Sequence, residues 1–444
     1  MSTRLDVRPP AYSPAADDEA AVARETMRRV NRRLLPLLFA LFVCNYVDRT
    51  NVAMAALQMN RDLHFSGTAY GLGTGIFFLG YALFEVPSNL MLARMGARRW
   101  IARIVISWGV VASAMMLVRT PAQFYAFRFL LGVAEAGFFP GIVYYLSLWY
   151  PAAQRGRALS RFVIAAPLAA AFGNPASAAL LALDGRLGLR GWEWVFLVEG
   201  IPSVVLGVVV LVVLTDRPEQ ARWLDDAQRA WLAEQLRRDD EGSTAPHATS
   251  PLRALMHPVV WSLAVVYLLR LTTGYAYLFW APTIVRDALG ASAAATGLIT
   301  AGVACLAAGG QLVVGLSSDR TGERWLHAAG CVVVSAMGCL GAALLPSPLL
   351  QVAALALVHV GEQSFSVAFW CLPSTLLRGA AAAAGIAAIN SFGNLGGFFG
   401  PYLTGAIRDA TGSARGAFLV LALPALLAAA LCMVLRRRLA PAPR

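Results

Sequence analysis

Residues 34–57 read LLPLLFALFVCNYVDRTNVAMAAL, an apolar run with Asp48 and Arg49 side by side inside it. A hydrocarbon core about 30 Å thick needs about 20 apolar helical residues, so this run is long enough to span a membrane. A charge at that depth costs roughly 2.5–3.5 kcal/mol on insertion scales and is retained mainly where it faces a cavity or a partner. The apolar run at 121–148 carries two more charges, Arg128 and Glu135. Together the four point to a protein that moves a charged solute across a membrane.

Working outward, similar runs occur near 70–93, 100–118, 160–183 and 194–214. After a polar interval they resume near 258–281, 296–317, 325–345, 349–377, 383–407 and 416–435, which makes twelve. The runs at 100–118 and 349–377 depart from the usual length and predict kinks or tilt. Composition agrees: 58% of the 444 residues are hydrophobic and 14% charged, as expected of an integral membrane protein. The net charge of +12 comes from arginine alone, because the chain has no lysine. Its arginines crowd the segments between runs, which excludes nucleic acid as the reading. If the N-terminus is cytoplasmic, 26 arginines fall inside, 7 outside and 4 within spans. The positive-inside rule then places both termini in the cytoplasm, of an inner membrane.

The expected organisation is a cytoplasmic tail (1–33), a six-helix bundle (34–214), a central cytoplasmic loop (215–257), a second six-helix bundle (258–435) and a short tail (436–444). The first 33 residues lack a short apolar stretch with a small-residue cleavage site, so the first span is expected to stay. In the central loop, Thr215 or Asp216 is read as the cap of a short surface helix. Trp223, Leu224, Ala227, Trp231 and Leu232 fall roughly on one of its faces. Gly242 to Ser250 reads as linker. The six cysteines lie in apolar runs at irregular spacing, which suits buried apolar residues better than a metal site or a disulfide framework. No cofactor is expected. No HExxH, GxSxG or Walker A pattern occurs, so the chain is not read as an enzyme.

An internal repeat supports two halves. GLSSDRTGERW (Gly315–Trp325) follows span 8, and LARMGARRW (Leu92–Trp100) follows span 2. Aligned on their glycines, Arg94, Gly96 and Arg98 stand opposite Arg320, Gly322 and Arg324, and Ala93 replaces Asp319. These loops resemble those of the major facilitator superfamily, with its G-x-x-x-D-R-x-G-R-R type motif. The first copy departs by lacking the aspartate, so the usual charge relay is not expected at that loop. YVDRTN (Tyr46–Asn51), GYALFEVPSN (Gly80–Asn89), RFLLGVAEAGFFPG (Arg128–Gly141), FWCLPS (Phe369–Ser374) and INSFGNLGGFFGP (Ile389–Pro401) narrow the match. Jointly they resemble the anion:cation symporter family, in particular its bacterial phthalate, tartrate and sugar-acid permeases. The likeness covers nearly the whole chain past residue 33. It implies an all-α fold of twelve membrane helices in two six-helix bundles, with Asp319, Arg320, Gly322 and Arg324 as a gating loop.

Arg128 and Glu135 are seven residues apart, about 20° short of two turns, so they share a helix face and can look into one cavity. Burial raises a carboxyl pKa and a nearby arginine lowers it. That competition suits Glu135 to load a proton outside and release it inside; the alternative is a permanent Glu–Arg pair that locks the fold. Adjacent helix residues point about 100° apart, so Asp48 is set against Arg128 and Arg49 is left to the substrate. The resemblance gives Asp48 and Glu135 to proton coupling, and Arg49 and Arg128 to the bound acid. It also favours Tyr81, Trp370 and Asn390 as substrate contacts, with Ser374 and Asn394 as further cavity liners; Tyr46 is a further substrate-binding candidate. Asn390 and Asn394 lie one turn apart on one face. Arg270 on span 7 is a candidate for a second carboxylate, with His359 and Glu362 on span 10 as possible partners in a structural triad instead.

A monoanion entering a cell that is negative inside opposes about 2.3 kcal/mol per 100 mV. One co-transported proton cancels that term, so an anion importer needs titratable carboxylates beside a cationic site. The expected function is therefore proton-coupled import of an organic carboxylate by a monomer in the lipid bilayer, with protons as the second partner. An amphipath efflux pump and a transporter-like receptor are the rivals. Gly71-x-Gly73-x-Gly75 reads as helix packing. Gly393, Gly396, Gly397 and Gly400 give overlapping GxxxG registers for close helix approach. Glu85 and Glu199 read as packing or helix breaking.

Overall fold

The computed structural model describes residues 14–242, 257–376, 380–413 and 415–439. Eleven helical stretches are long and apolar enough to cross a membrane. The helices Ala380–Asn394 and Gly396–Thr411 fill the place of span 11. Side chains such as Val212, Leu312 and Leu344 are exposed on the outside, as helices bathed in lipid require.

Turn chemistry sets the helix ends. Ser66 accepts the N–H of Ala69 at 3.0 Å, and Ser292 accepts that of Ala295 at 3.2 Å. Gly290, Gly322 and Gly412 close their helices in the left-handed conformation. The first helix is longer than expected, Pro14–Thr50, because acidic and basic residues such as Glu25 and Arg28 pair one turn apart on its protruding end.

Several spans are broken. Span 1 divides at Asn51, span 4 at Ala136–Gly137, span 5 at Ile164 and span 10 at Trp370. The sequence reading anticipated a departure only in the last of these. In span 4, Gly137 takes φ 84, where a Cβ would lie 2.5 Å from Ser88 Oγ. The break leaves Glu135 as the last residue of its half-helix. Irregular backbone at membrane depth persists only where protein or a cavity surrounds it.

The central segment also departs from expectation. Its helix is Asp226–Gly242, capped by Asp225, whose Oδ1 accepts the N–H of Gln228 at 2.9 Å while Gln228 Oε1 accepts that of Asp225 at 3.3 Å. Asp216 instead accepts the backbone N–H of Arg98 at 2.7 Å. Its carboxylate lies beside Gly96, 2.9 Å from where a Cβ would stand. The aspartate missing from the loop after span 2 is thus supplied by another segment. Trp223 stacks on Trp149 at 5.4 Å, and Ala152 donates its N–H to Asp239 at 2.6 Å. Residues 243–250 of the expected linker lie outside the described residues.

The two bundles meet closely at the end opposite the termini. Spans 2 and 11 touch there through glycines: a Cβ on Gly71 would collide with the Pro401 carbonyl, and one on Gly75 would lie 2.8 Å from Phe398 O. Tyr70 donates to Phe279 O at 2.8 Å, Asn174 to Thr300 at 3.0 Å, and Arg286 to Leu57 O. Asp409 accepts the N–H groups of Gly67 and Thr68 at 2.7 Å each, capping span 2 from the other bundle. Among the described residues, the hydrogen bonds between bundles nearest the termini are those of Glu85 with Asn390 and Ser391. The molecule is sealed at the far end, where most of the hydrogen bonds between the bundles found among the described residues gather.

Partial burial alone would raise the Asp409 carboxyl, but the bonds from Thr68 and Gly67 outweigh it and hold the group below the aspartate range. Its contribution is present above the ordinary value of about 3.9 and is lost as pH falls through the lowered one. Asp409→Asn at neutral pH is expected to shift the bundles several-fold toward far-end opening, read as faster labelling of a cysteine placed at Ala56. Unchanged labelling would show that Asp409 does not hold the far end closed.

Candidate functional site

Spans 1 and 4 bring Arg49 and Glu135 together at mid-membrane. Arg49 donates Nε and Nη2 to Glu135 Oε2 at 3.1 and 2.7 Å, and Asn45 Nδ2 reaches the same oxygen at 2.9 Å. Glu135 is fully buried and its Oε1 has no partner. Asn45 lies one helical turn before Arg49 and so shares its face; that spacing was the available signal for a residue the sequence reading missed. The Arg49 guanidinium also sits 5.2 Å from the rings of both Phe77 and Tyr81.

Arg128 departs from expectation. It bonds neither Glu135 nor Asp48. Its Nη2 reaches Thr74 O at 3.5 Å, and the guanidinium lies 4.9 Å from the Phe77 ring and 5.8 Å from that of Phe279. At 1% exposure it has no carboxylate partner among the described residues, and its Nε is unbonded. Phe77 therefore separates two cations, only one of them paired. Asp48 turns the other way, accepting Trp108 Nε1 at 3.0 Å and Ser203 Oγ at 2.5 Å, with Oδ1 unpartnered. The adjacency of residues 48 and 49 signalled their divergence, but not that Asp48 would face spans 3 and 6.

The second bundle repeats the arrangement on spans 7 and 10. Arg270 pairs with Glu362 at 2.9 Å and also donates to its backbone carbonyl. Ser335 holds the other carboxylate oxygen at 2.7 Å. His359 stands apart, stacked on Tyr277 at 4.7 Å, so the three residues form a pair and a bystander.

Tyr81 is buried beneath Arg49, and Tyr46 is half-buried on the same turn as Asn45. Trp370 packs edge-on to Tyr267 at 4.9 Å. The Ser374 side chain lies outside the described residues. Asn390 donates to Glu85 at 3.5 Å, beside Ser391 at 2.6 Å, and Asn394 accepts Tyr275 Oη at 3.4 Å. Tyr275, 4.2 Å from Phe78 across the bundles, was not anticipated. In the loop after span 8, Arg324 pairs with Asp319 at 2.7 Å and donates to Ser318 at 2.8 Å; Gly322 makes the turn and Arg320 is exposed. Among the described residues no cluster suits a metal ion.

Two bundles of broken helices around a buried charged centre define a membrane transporter. The family model described as Major Facilitator Superfamily matches residues 38–401 and 263–444, and the chain belongs to that superfamily. It is 45% identical to a putative tartrate transporter of Agrobacterium vitis, over 93% of this chain and 91% of that protein. It is 40% identical to a quinolone resistance transporter of Acinetobacter baumannii, over 88% and 90%. Among solved structures, a bacterial homologue of the human lysosomal transporter Spinster superposes with a TM-score of 0.75 at 18% identity, covering 91% of this chain and 96% of that one. The protein is thus a secondary transporter that works by alternating access, not an enzyme.

Proposed function

We propose that this transporter imports organic carboxylates together with protons across the inner membrane. The observation that carries the reading is Arg128, a buried guanidinium that makes no ion pair with a carboxylate among the described residues. Leaving such a charge unpaired is costly, and an anionic substrate relieves the cost. Arg49 is occupied by Glu135. A proton on Glu135 weakens that pair and frees Arg49 for the substrate carboxylate, so proton and anion binding favour each other. Asp48, held only by neutral donors, is the second proton-site candidate. The arginine count puts the termini in the cytoplasm, which makes the sealed far end the outer gate.

Arg270 and Glu362 form the same kind of pair in the other bundle, which favours a substrate with two carboxylates. Arg270→Gln is expected to raise KM for dicarboxylates about tenfold or more, since a charge-assisted hydrogen bond contributes about 1.5–3 kcal/mol. Monocarboxylates should change by less than about twofold. Equal losses for both classes would assign Arg270 to structure alone.

Uptake of labelled acids into proteoliposomes, with and without a pH gradient, tests the reading. Accumulation that follows the gradient is expected. A thermal-shift screen across aromatic, sugar and hydroxy-dicarboxylic acids should find a stabilising ligand. If no carboxylate stabilises the protein, the anion assignment is wrong. The name of the Acinetobacter relative and the aromatic shelf of Phe77, Phe78, Tyr275 and Phe279 favour a second reading, export of amphipathic compounds. Efflux of such a compound from loaded vesicles, with no carboxylate uptake, would establish it.

A further inference from the structure

A cleft of about 340 Å³ lies at the sealed far end, between the bundles, and neither Arg49 nor Arg128 is among the residues that line it. Asn60 and Arg61 of the first bundle line it, with Trp280, Thr283, Arg286 and Arg408 of the second. Two polar atoms on this lining are buried without a partner: Thr283 Oγ1, on a residue 3% exposed, and Asn60 Oδ1. A buried hydroxyl and a buried amide oxygen with nothing to bond forfeit the hydrogen bonds they would make to water, which asks for a bound group.

The charges around the cleft indicate its sign. Asp287 is shared between Arg286 at 3.1 Å and Arg408 at 2.7 Å. Asp62 is shared between Arg61 at 3.5 Å and Arg190 at 3.7 Å. Asp409 is engaged by the backbone N–H groups at the start of span 2. Three guanidiniums, Arg61, Arg286 and Arg408, thus line the cleft with one carboxylate, Asp409, whose charge a helix N-terminus partly offsets. Arg61 is mostly exposed and only loosely held.

We infer that this cleft is a second anion site, an outer vestibule that takes a small hydroxycarboxylate before the gate opens. The carboxylate meets Arg61 and the Thr283 hydroxyl; the ligand's own hydroxyl donates to Asn60 Oδ1. Asp409, the carboxylate on the lining, is engaged by the N–H groups of Gly67 and Thr68, so the site binds and hands on rather than coupling to protons. Its ligand class rests on the carboxylate reading of the central site, whereas its preference for anions does not.

The test uses the full-length protein with the central site disabled by Arg49→Gln and Arg128→Gln, and two probes, tartrate and sulfate. Thermal stabilisation that saturates with either probe is expected to survive in that variant and to fall at least fivefold when Arg61→Gln and Thr283→Val are added. Sulfate binding without tartrate binding supports an anion vestibule and overturns the hydroxycarboxylate as its ligand; the carboxylate reading of the central site is decided separately, by the screen on the unmodified protein. Loss of all saturable stabilisation with the central substitutions alone overturns the vestibule. So does stabilisation that the added Arg61 and Thr283 changes leave untouched. In proteoliposomes, Arg61→Gln alone should raise KM about threefold at low salt and leave kcat unchanged; no change in KM would also count against the site.

Discussion

Glu135→Gln should reduce proton-driven accumulation to the level set by the other forces while leaving substrate counterflow measurable. The neutral amide keeps the volume of the carboxyl and accepts from Asn45, but it no longer neutralises Arg49. Arg49 is then permanently available to an anion, and binding persists without a proton. One proton fewer per cycle at about 100 mV removes about 2.3 kcal/mol of driving force, about a 50-fold drop in the attainable accumulation ratio. Counterflow of labelled against unlabelled substrate needs no net proton movement and so separates lost coupling from lost folding. If accumulation still tracks the pH gradient at its wild-type level, Glu135 does not carry the proton.

Gly71→Leu should have an effect as large by a different route. The far-end seal depends on spans 2 and 11 meeting backbone to backbone, and the Gly71 position faces the Pro401 carbonyl with no room for a side chain. Overpacking costs about 1–3 kcal/mol where neighbours can yield; a carbonyl within a helix yields little. Far-end closure should therefore become at least tenfold less populated, and uptake should fall by a similar factor. An impermeant maleimide applied from the far side should label an Ala56→Cys reporter faster, in a background lacking the native cysteines. Slow labelling with normal transport would mean that the close approach is dispensable.

Much of this architecture was legible in the sequence because membrane insertion imposes a simple rule, about 20 apolar residues per crossing. The twelve runs, the duplicated loop and the buried charges all follow from it. The close packing at Gly71 and Gly75 was legible too, since small residues at helical spacing allow helices to approach. Pairing was harder to read. Arg49 and Arg128 compete for Glu135 from different spans, and which one reaches it depends on the crossing of spans 1 and 4 and on the break at Gly137. Asp48 was assigned to Arg128, but Trp108 and Ser203 take it, and nothing in local spacing connects residues 48, 108 and 203. Glu85 read as packing; its bonds to Asn390 and Ser391 arise only once the two bundles assemble.

The hold of Asp216 on the loop after span 2 bears on how the polypeptide can be divided. The segment that links the bundles by sequence belongs to the first by contact. Asp216 bonds Arg98, Gln228 bonds Arg29, Asp239 bonds Ala152, and Trp223 lies against Trp149. A two-fragment version, or a chimera with a related transporter, should be joined after Gly242 rather than at the end of the sixth span. A junction at residue 214 would graft a foreign aspartate, or none, onto a loop that has already given up its own.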